Sequence, residues 1–150
     1  MIMTTDEAIK AVEIYSAGIL SGGLPACVYV RKAVERYMAD LERDDLYMDW
    51  QAFGKMVKVA QQFKHYKGPL AGQYFAPEPW QLFVFANIIG LKRKATNLRK
   101  YVLSDLYLPR KNGKTYMAAI FATWFCLFDN EASPEVYTAA LDKDQAKICY

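Results

Sequence analysis

The sequence predicts an α/β chain: a helical region over residues 1–75, then the first strands and helices of a parallel sheet over residues 76–150. Three observations predict it. Apolar residues recur at helical spacing through the first 67 positions; from residue 68 the texture becomes extended and proline-punctuated; and a strand-like run, a short basic loop and an apolar helix then follow one another.

The elements follow in order. Thr4 and Glu7 form a capping-box pattern ahead of Ala8, Val12, Tyr15 and Ile19, one face of a helix that Ser21-Gly22-Gly23 ends. A second helix opens near Pro25 and keeps Cys27, Val30, Val34, Tyr37 and Leu41 on one side, until the charged run Glu42-Arg43-Asp44-Asp45 forms a loop. Asp49 is placed to cap a third helix with Trp50, Phe53, Val57 and Ala60 as its stripe, stopped by Lys67-Gly68-Pro69. After "GPLAGQYFAPEPWQ" comes a helix over Trp80–Ile89, with Pro79 in its first turn and Gly90 at its end. A basic loop leads to the strand-like Tyr101–Leu108, and "SPEVYTAA" reads as a second short strand before a helix opened by Asp142 and Gln145. The end in "DQAKICY", without a stop signal, predicts a fragment of a longer protein.

Composition narrows the function classes. A 53% hydrophobic content with 15% aromatics suits a packed core, and the apolar runs Leu82–Leu91 and Tyr116–Phe128 are too short to span a bilayer. The first residues lack the basic and apolar regions of a signal peptide, which predicts a cytosolic protein. Cys27, Cys126 and Cys149 lack metal-ligand spacing and His65 is the only histidine, which leaves little for zinc or Cys/His catalysis. Buried packing is the expected role of the cysteines, and a surface or helix-end position that of His65. The net charge of +3 hides segregation: residues 1–50 hold 5 basic and 9 acidic side chains, residues 51–115 hold 12 and 2, and residues 116–150 hold 2 and 5. The middle of the chain is the part suited to face anions.

Within it lies "LPRKNGKTY", residues 108 to 116. Asn112-Gly113 is a strong hairpin signal, whereas Gly113-Lys114-Thr115 has the form that closes a phosphate-binding P-loop. A hairpin requires alternation after the turn. Instead, Met117, Phe121, Trp124 and Phe128 recur at helical spacing, and Pro109 removes a ladder donor from the first hairpin strand. The strand, loop and helix order favours phosphate binding: Gly113 lets backbone approach closely, Lys114 can reach β- and γ-phosphates, and the Thr115 hydroxyl can ligate Mg²⁺. Leu108 stands where the general pattern has its first glycine.

The loop "PRKNGKT" resembles that of the ATPase of large terminase subunits of tailed double-stranded-DNA bacteriophages, which usually lacks the first glycine and carries an arginine four residues before the lysine, here Arg110. "EPWQ" is similar to that family's adenine-recognition motif, pointing to Gln81; "YTAALDKDQA" and the helical region ending in "HYKGPLAGQYF" are similar to its other segments. The resemblance implies an ASCE/RecA-like P-loop NTPase, an ATP- and Mg²⁺-dependent motor that moves double-stranded DNA into a procapsid in the host cytoplasm. Portal and small-subunit partners and a homo-oligomeric ring are implied too. Lys114 and Arg110 would be its catalytic residues, Arg110 stabilising charge in the transition state; Gln81, Arg110, Lys111, Asn112, Gly113, Lys114 and Thr115 would bind nucleotide, with Thr115 on Mg²⁺. Trp80 is read as a core aromatic. No acidic residue after Thr115 ends an apolar strand, so the second Mg²⁺-holding element, the water-orienting carboxylate and the nuclease acids are expected outside these 150 residues, and the chain alone is expected to turn over little ATP. A helicase-like P-loop ATPase and a non-enzymatic helical DNA-binding module are the alternative readings.

Overall fold

The computed structural model describes residues 2–66, 68–109, 112–129, 133–137 and 139. They fall into two compact units, Met1–Ser104 and Asp105–Tyr150. Helix and strand are mixed, with a small two-stranded sheet.

In the first unit, helix α1 (Thr5–Ser21) begins with the predicted capping box: the Glu7 N–H donates to Thr4 Oγ1, and the Thr4 N–H donates to the Glu7 carboxylate at 2.7 Å. α1 buries Ala8, Val12, Ser16 and Ile19. Helix α2 (Val28–Leu41) starts at Cys27 and buries Val34, Tyr37 and Asp40. Strand β1 (Leu46–Met48) and helix α3 (Trp50–Ala60) follow, then helix α4 (Pro79–Phe85), a π-helical turn over Ala86–Gly90, and strand β2 (Leu91–Arg93). β1 and β2 pair antiparallel, Leu46 opposite Arg93 and Met48 opposite Leu91.

α1 is the hub, packed against α2, α3 and α4. Tyr15 of α1 and Tyr37 of α2 both meet Phe83 of α4, with ring centroids 5.6 and 5.3 Å away. Burial pushes the Tyr37 hydroxyl up to about 12, and Glu13 adds to the shift. The approach of α3 to α1 needs Gly54, because a Cβ there would lie 2.5 Å from Thr5 Oγ1. The buried Gln61 carboxamide holds the start of the chain by accepting from the Met3 N–H at 2.6 Å and donating to the Met3 carbonyl at 3.1 Å.

Two acids hold the later segments. Asp49 caps α3 by accepting from the Ala52 N–H at 2.8 Å and pairs with the Lys92 ammonium of β2 at 2.7 Å. Burial alone would raise its carboxyl, but Lys92 and the cap bond together hold it below the usual value. Asp40, only 4% exposed, accepts from the Lys100 ammonium and, at 2.9 Å, from the Tyr101 hydroxyl.

Several expectations are corrected here. α3 ends at Ala60 rather than near residue 67, and residues 63–66 and 72–75 run back along each other as a narrow hairpin in which Lys64 bridges Tyr74 and the His65 N–H donates to the Gln73 carbonyl. Half-buried His65 lies in that hairpin. The expected strand Tyr101–Leu108 is not formed: Val102 is 97% exposed and Tyr107 92%, and among the described residues no segment lies alongside to complete a ladder. Residues 133–137 are not a strand either, and the helix expected from Asp142 lies outside the described residues. Cys27 and Cys126 are exposed, not buried, because one precedes the first turn of α2 and the other faces outward from the last helix; Cys149 lies outside the described residues. Among the described residues, no helix is long and apolar enough to cross a membrane. α4, placed by the sequence reading at the head of a second domain, packs on α1 and α3 in the first unit.

The second unit contains helix α5 (Lys114–Leu127), which buries Met117, Ile120 and Trp124. Residues after Gly113 are therefore helical and form no hairpin strand. Ile120 takes the buried position expected of Phe121, which is half-buried and stacked on Phe125 with centroids 5.9 Å apart.

Candidate nucleotide-binding loop

The turn into α5 is made by one residue. Gly113 sits at the helix N-cap with φ +73° and ψ +15°, the left-handed region that a Cβ disfavours by roughly 1–2 kcal/mol. Its carbonyl accepts from the Met117 N–H at 3.0 Å, starting the helical ladder. The N–H groups of Lys114 and Thr115 therefore precede the first intrahelical bond, and among the described residues no side chain caps the end. Backbone donors at the positive end of a helix dipole are an arrangement suited to an anion.

Lys114 is the first residue of α5, and its side chain is exposed. Its ammonium folds back across the loop and donates to the Leu108 carbonyl at 2.7 Å. That bond ties the two ends of the basic loop together and holds the charge beside the helix N-terminus. A backbone carbonyl carries no residue-type signal, so sequence reasoning could not single out Leu108 as the lysine's partner. Thr115 is half-buried in the first turn, and Asn112 is exposed. Arg110 and Lys111 lie outside the described residues. Among the described residues, no three of His, Cys, Asp and Glu gather as a metal cage. A Mg²⁺ ion here would be held chiefly by phosphate oxygens and one hydroxyl, the usual habit of this ion at nucleotides.

Gln81 belongs to the first unit. Glu78 caps α4, Pro79 takes the first helical position, and Gln81 is the third residue of the helix. Its Oε1 accepts from the Glu78 N–H at 2.8 Å, and the residue is only 4% exposed. The bond fixes which end of the carboxamide is oxygen. That oxygen keeps a second lone pair, and the amide nitrogen is a donor, so the group retains the pair of functions that matches the N6 and N7 edge of adenine. An ordinary exposed glutamine would have no such fixed orientation. Trp80 beside it is half-buried.

Residues 79–150 match the family model described as "Terminase large subunit, ATPase domain". The matched stretch takes in both Gln81 and the loop before α5. No curated protein and no solved structure matches the chain.

Proposed function

Residues 79–150 belong to the terminase large subunit ATPase-domain family, and from that premise we propose that the chain carries the ATP-binding part of a motor that drives double-stranded DNA into a procapsid. The observation that carries this reading is the left-handed Gly113 delivering the chain into α5 with Lys114 exposed at its first position. In the proposed complex, the triphosphate lies over the N-terminus of α5 and receives the N–H groups that precede the first intrahelical bond. The Lys114 ammonium leaves the Leu108 carbonyl for the β- and γ-phosphates, exchanging a neutral acceptor for a charged one. Thr115 offers its hydroxyl to Mg²⁺, Asn112 and Lys111 shape the loop, and Arg110 stabilises charge that develops on the transferred phosphoryl group. Gln81, whose Oε1 accepts from the Glu78 N–H, is the residue that the resemblance to the family's adenine motif implies for the base. The cofactors are ATP and Mg²⁺, and the sheet that would complete the fold is the parallel sheet of P-loop NTPases.

The test is nucleotide binding by the chain with Lys114→Ala. The variant keeps every residue of the core and a good helix former at the first position of α5, so it is expected to fold as the parent does. Binding of a fluorescent ATP analogue should fall at least tenfold, in line with loss of a charge-assisted contact of about 1.5–3 kcal/mol. Equal binding by both proteins would dismiss the loop as the phosphate site.

A further inference from the structure

One acid-free basic stretch of the first unit lies where no nucleotide is proposed to bind. From Trp50 to Pro77 the sequence contains no aspartate or glutamate. α3 turns Phe53, Met56, Val57 and Ala60 inward, which leaves Gln51, Lys55 and Lys58 exposed at spacings of four and three, with exposed Gln62 just past its end. The three helical positions form one outward row that runs about 10 Å at 1.5 Å per residue. Beyond its end, the hairpin adds exposed Lys64, whose ammonium lies 4.7 Å above the ring of Tyr74, itself 60% exposed. The cation rests on an aromatic face rather than on a carboxylate. Asp49, at the start of the row, already has its charge engaged by Lys92 at 2.7 Å.

The other amphipathic helices of this unit differ. The outward side of α1 mixes Lys10 with Asp6, Glu7 and Glu13, and that of α2 mixes Lys32 and Arg36 with Glu35. Alternating signs make a solvated surface; a row whose only formal charges are positive repels cations and attracts a regularly charged polyanion. Lysine, glutamine and tyrosine side chains are also among those that contact phosphate and sugar without reading bases. On the order of six phosphate charges of a duplex lie along 10 Å of its axis, so the row is long enough to meet several of them.

We propose that the outward row of α3, continued by Lys64 and Tyr74, is a contact surface for the phosphate backbone of double-stranded DNA. The choice of duplex DNA as the polyanion rests on the packaging-motor reading above; the surface itself rests on charge and exposure. Contact is indifferent to sequence and to ATP, because no residue of the row belongs to the nucleotide loop.

The experiment measures fluorescence anisotropy of a labelled mixed-sequence duplex over a salt series, using the parent chain, the triple variant Lys55→Gln, Lys58→Gln, Lys64→Gln, and Lys10→Gln as a control on α1. Thermal melts check that each variant folds. The slope of log K against log salt should shrink in the triple variant by about 0.9 per lost contact, or about 2.7 in all, and stay unchanged in the control. An unchanged slope in the triple variant, an equal loss in the control, or equal competition by polyglutamate at the same charge overturns the proposal. A parallel titration with the fluorescent ATP analogue separates the two readings. If the chain binds ATP but no duplex, this surface is refuted and the nucleotide loop stands; if the duplex result holds while ATP fails to bind, the surface stands without the loop.

Discussion

Replacing Gly113 tests the geometry on which the nucleotide loop depends. The residue has φ +73° at the N-cap of α5, and the chain on either side leads into the basic loop and into the helix. An alanine in that conformation costs roughly 1–2 kcal/mol, a β-branched valine costs more, and asparagine tolerates the left-handed region better than either. The helix does not depend on that one torsion, since α5 can start later and let the loop relax elsewhere. Nucleotide would then have to restore the strained turn from its own binding energy. Affinity should fall about 5- to 30-fold for Gly113→Ala, further for Gly113→Val, and least for Gly113→Asn. The assay is titration with the fluorescent ATP analogue, accompanied by circular dichroism to confirm that helical content is kept. Equal affinity across the series, or a ranking that follows side-chain volume with asparagine worse than alanine, would refute the argument that backbone torsion shapes the site.

The remaining predictions concern the first unit. Gln81→Ala should collapse the preference for ATP over GTP, read from paired binding curves, while loss of its bond to the Glu78 N–H lowers stability by about 1 kcal/mol; a retained preference would leave the residue with its capping role alone. Asp40→Ala strands the Lys100 ammonium, whose side chain is 13% exposed, and removes the acceptor of the Tyr101 hydroxyl. Thermal or urea unfolding should show a loss of roughly 3–5 kcal/mol, as for other broken buried pairs. Asp49 is held below the ordinary carboxylate value, so its contribution is fully present above about pH 3.9 and is lost as pH falls through its lower folded value. Asp49→Asn should flatten that acid limb in unfolding curves recorded at successive pH values.

Much of the candidate site was legible because its signals are local. A left-handed residue, a lysine at a helix start and an apolar period of helical spacing are written within a few residues of one another, and the structure has Gly113, Lys114 and α5 in that order. The capping box at Thr4 and the cap at Asp49 were readable for the same reason. Gln81 was identifiable by position and motif, yet its burial and the Glu78 bond that orients it required the packed helix. The Leu108 carbonyl that receives Lys114 had no readable signal, since every residue has a carbonyl.

The sequence by itself determined where α1, α3 and α5 begin, the caps at Thr4 and Asp49 and the segregation of basic charge, because each follows from side chains a few positions apart. Only the tertiary structure decided which segments pair. Leu46–Met48 joins Leu91–Arg93, although neither stretch is long enough to announce a strand, while residues 102–107 of the more strand-like Tyr101–Leu108 remain exposed. It also sent Lys92 to Asp49 and Lys100 to Asp40, and left Lys55 and Lys58 facing outward without an acid on their own helix row. The physical reason is the same in each case. A ladder or an ion pair belongs to two distant pieces of chain, and neither piece alone specifies where the other will lie.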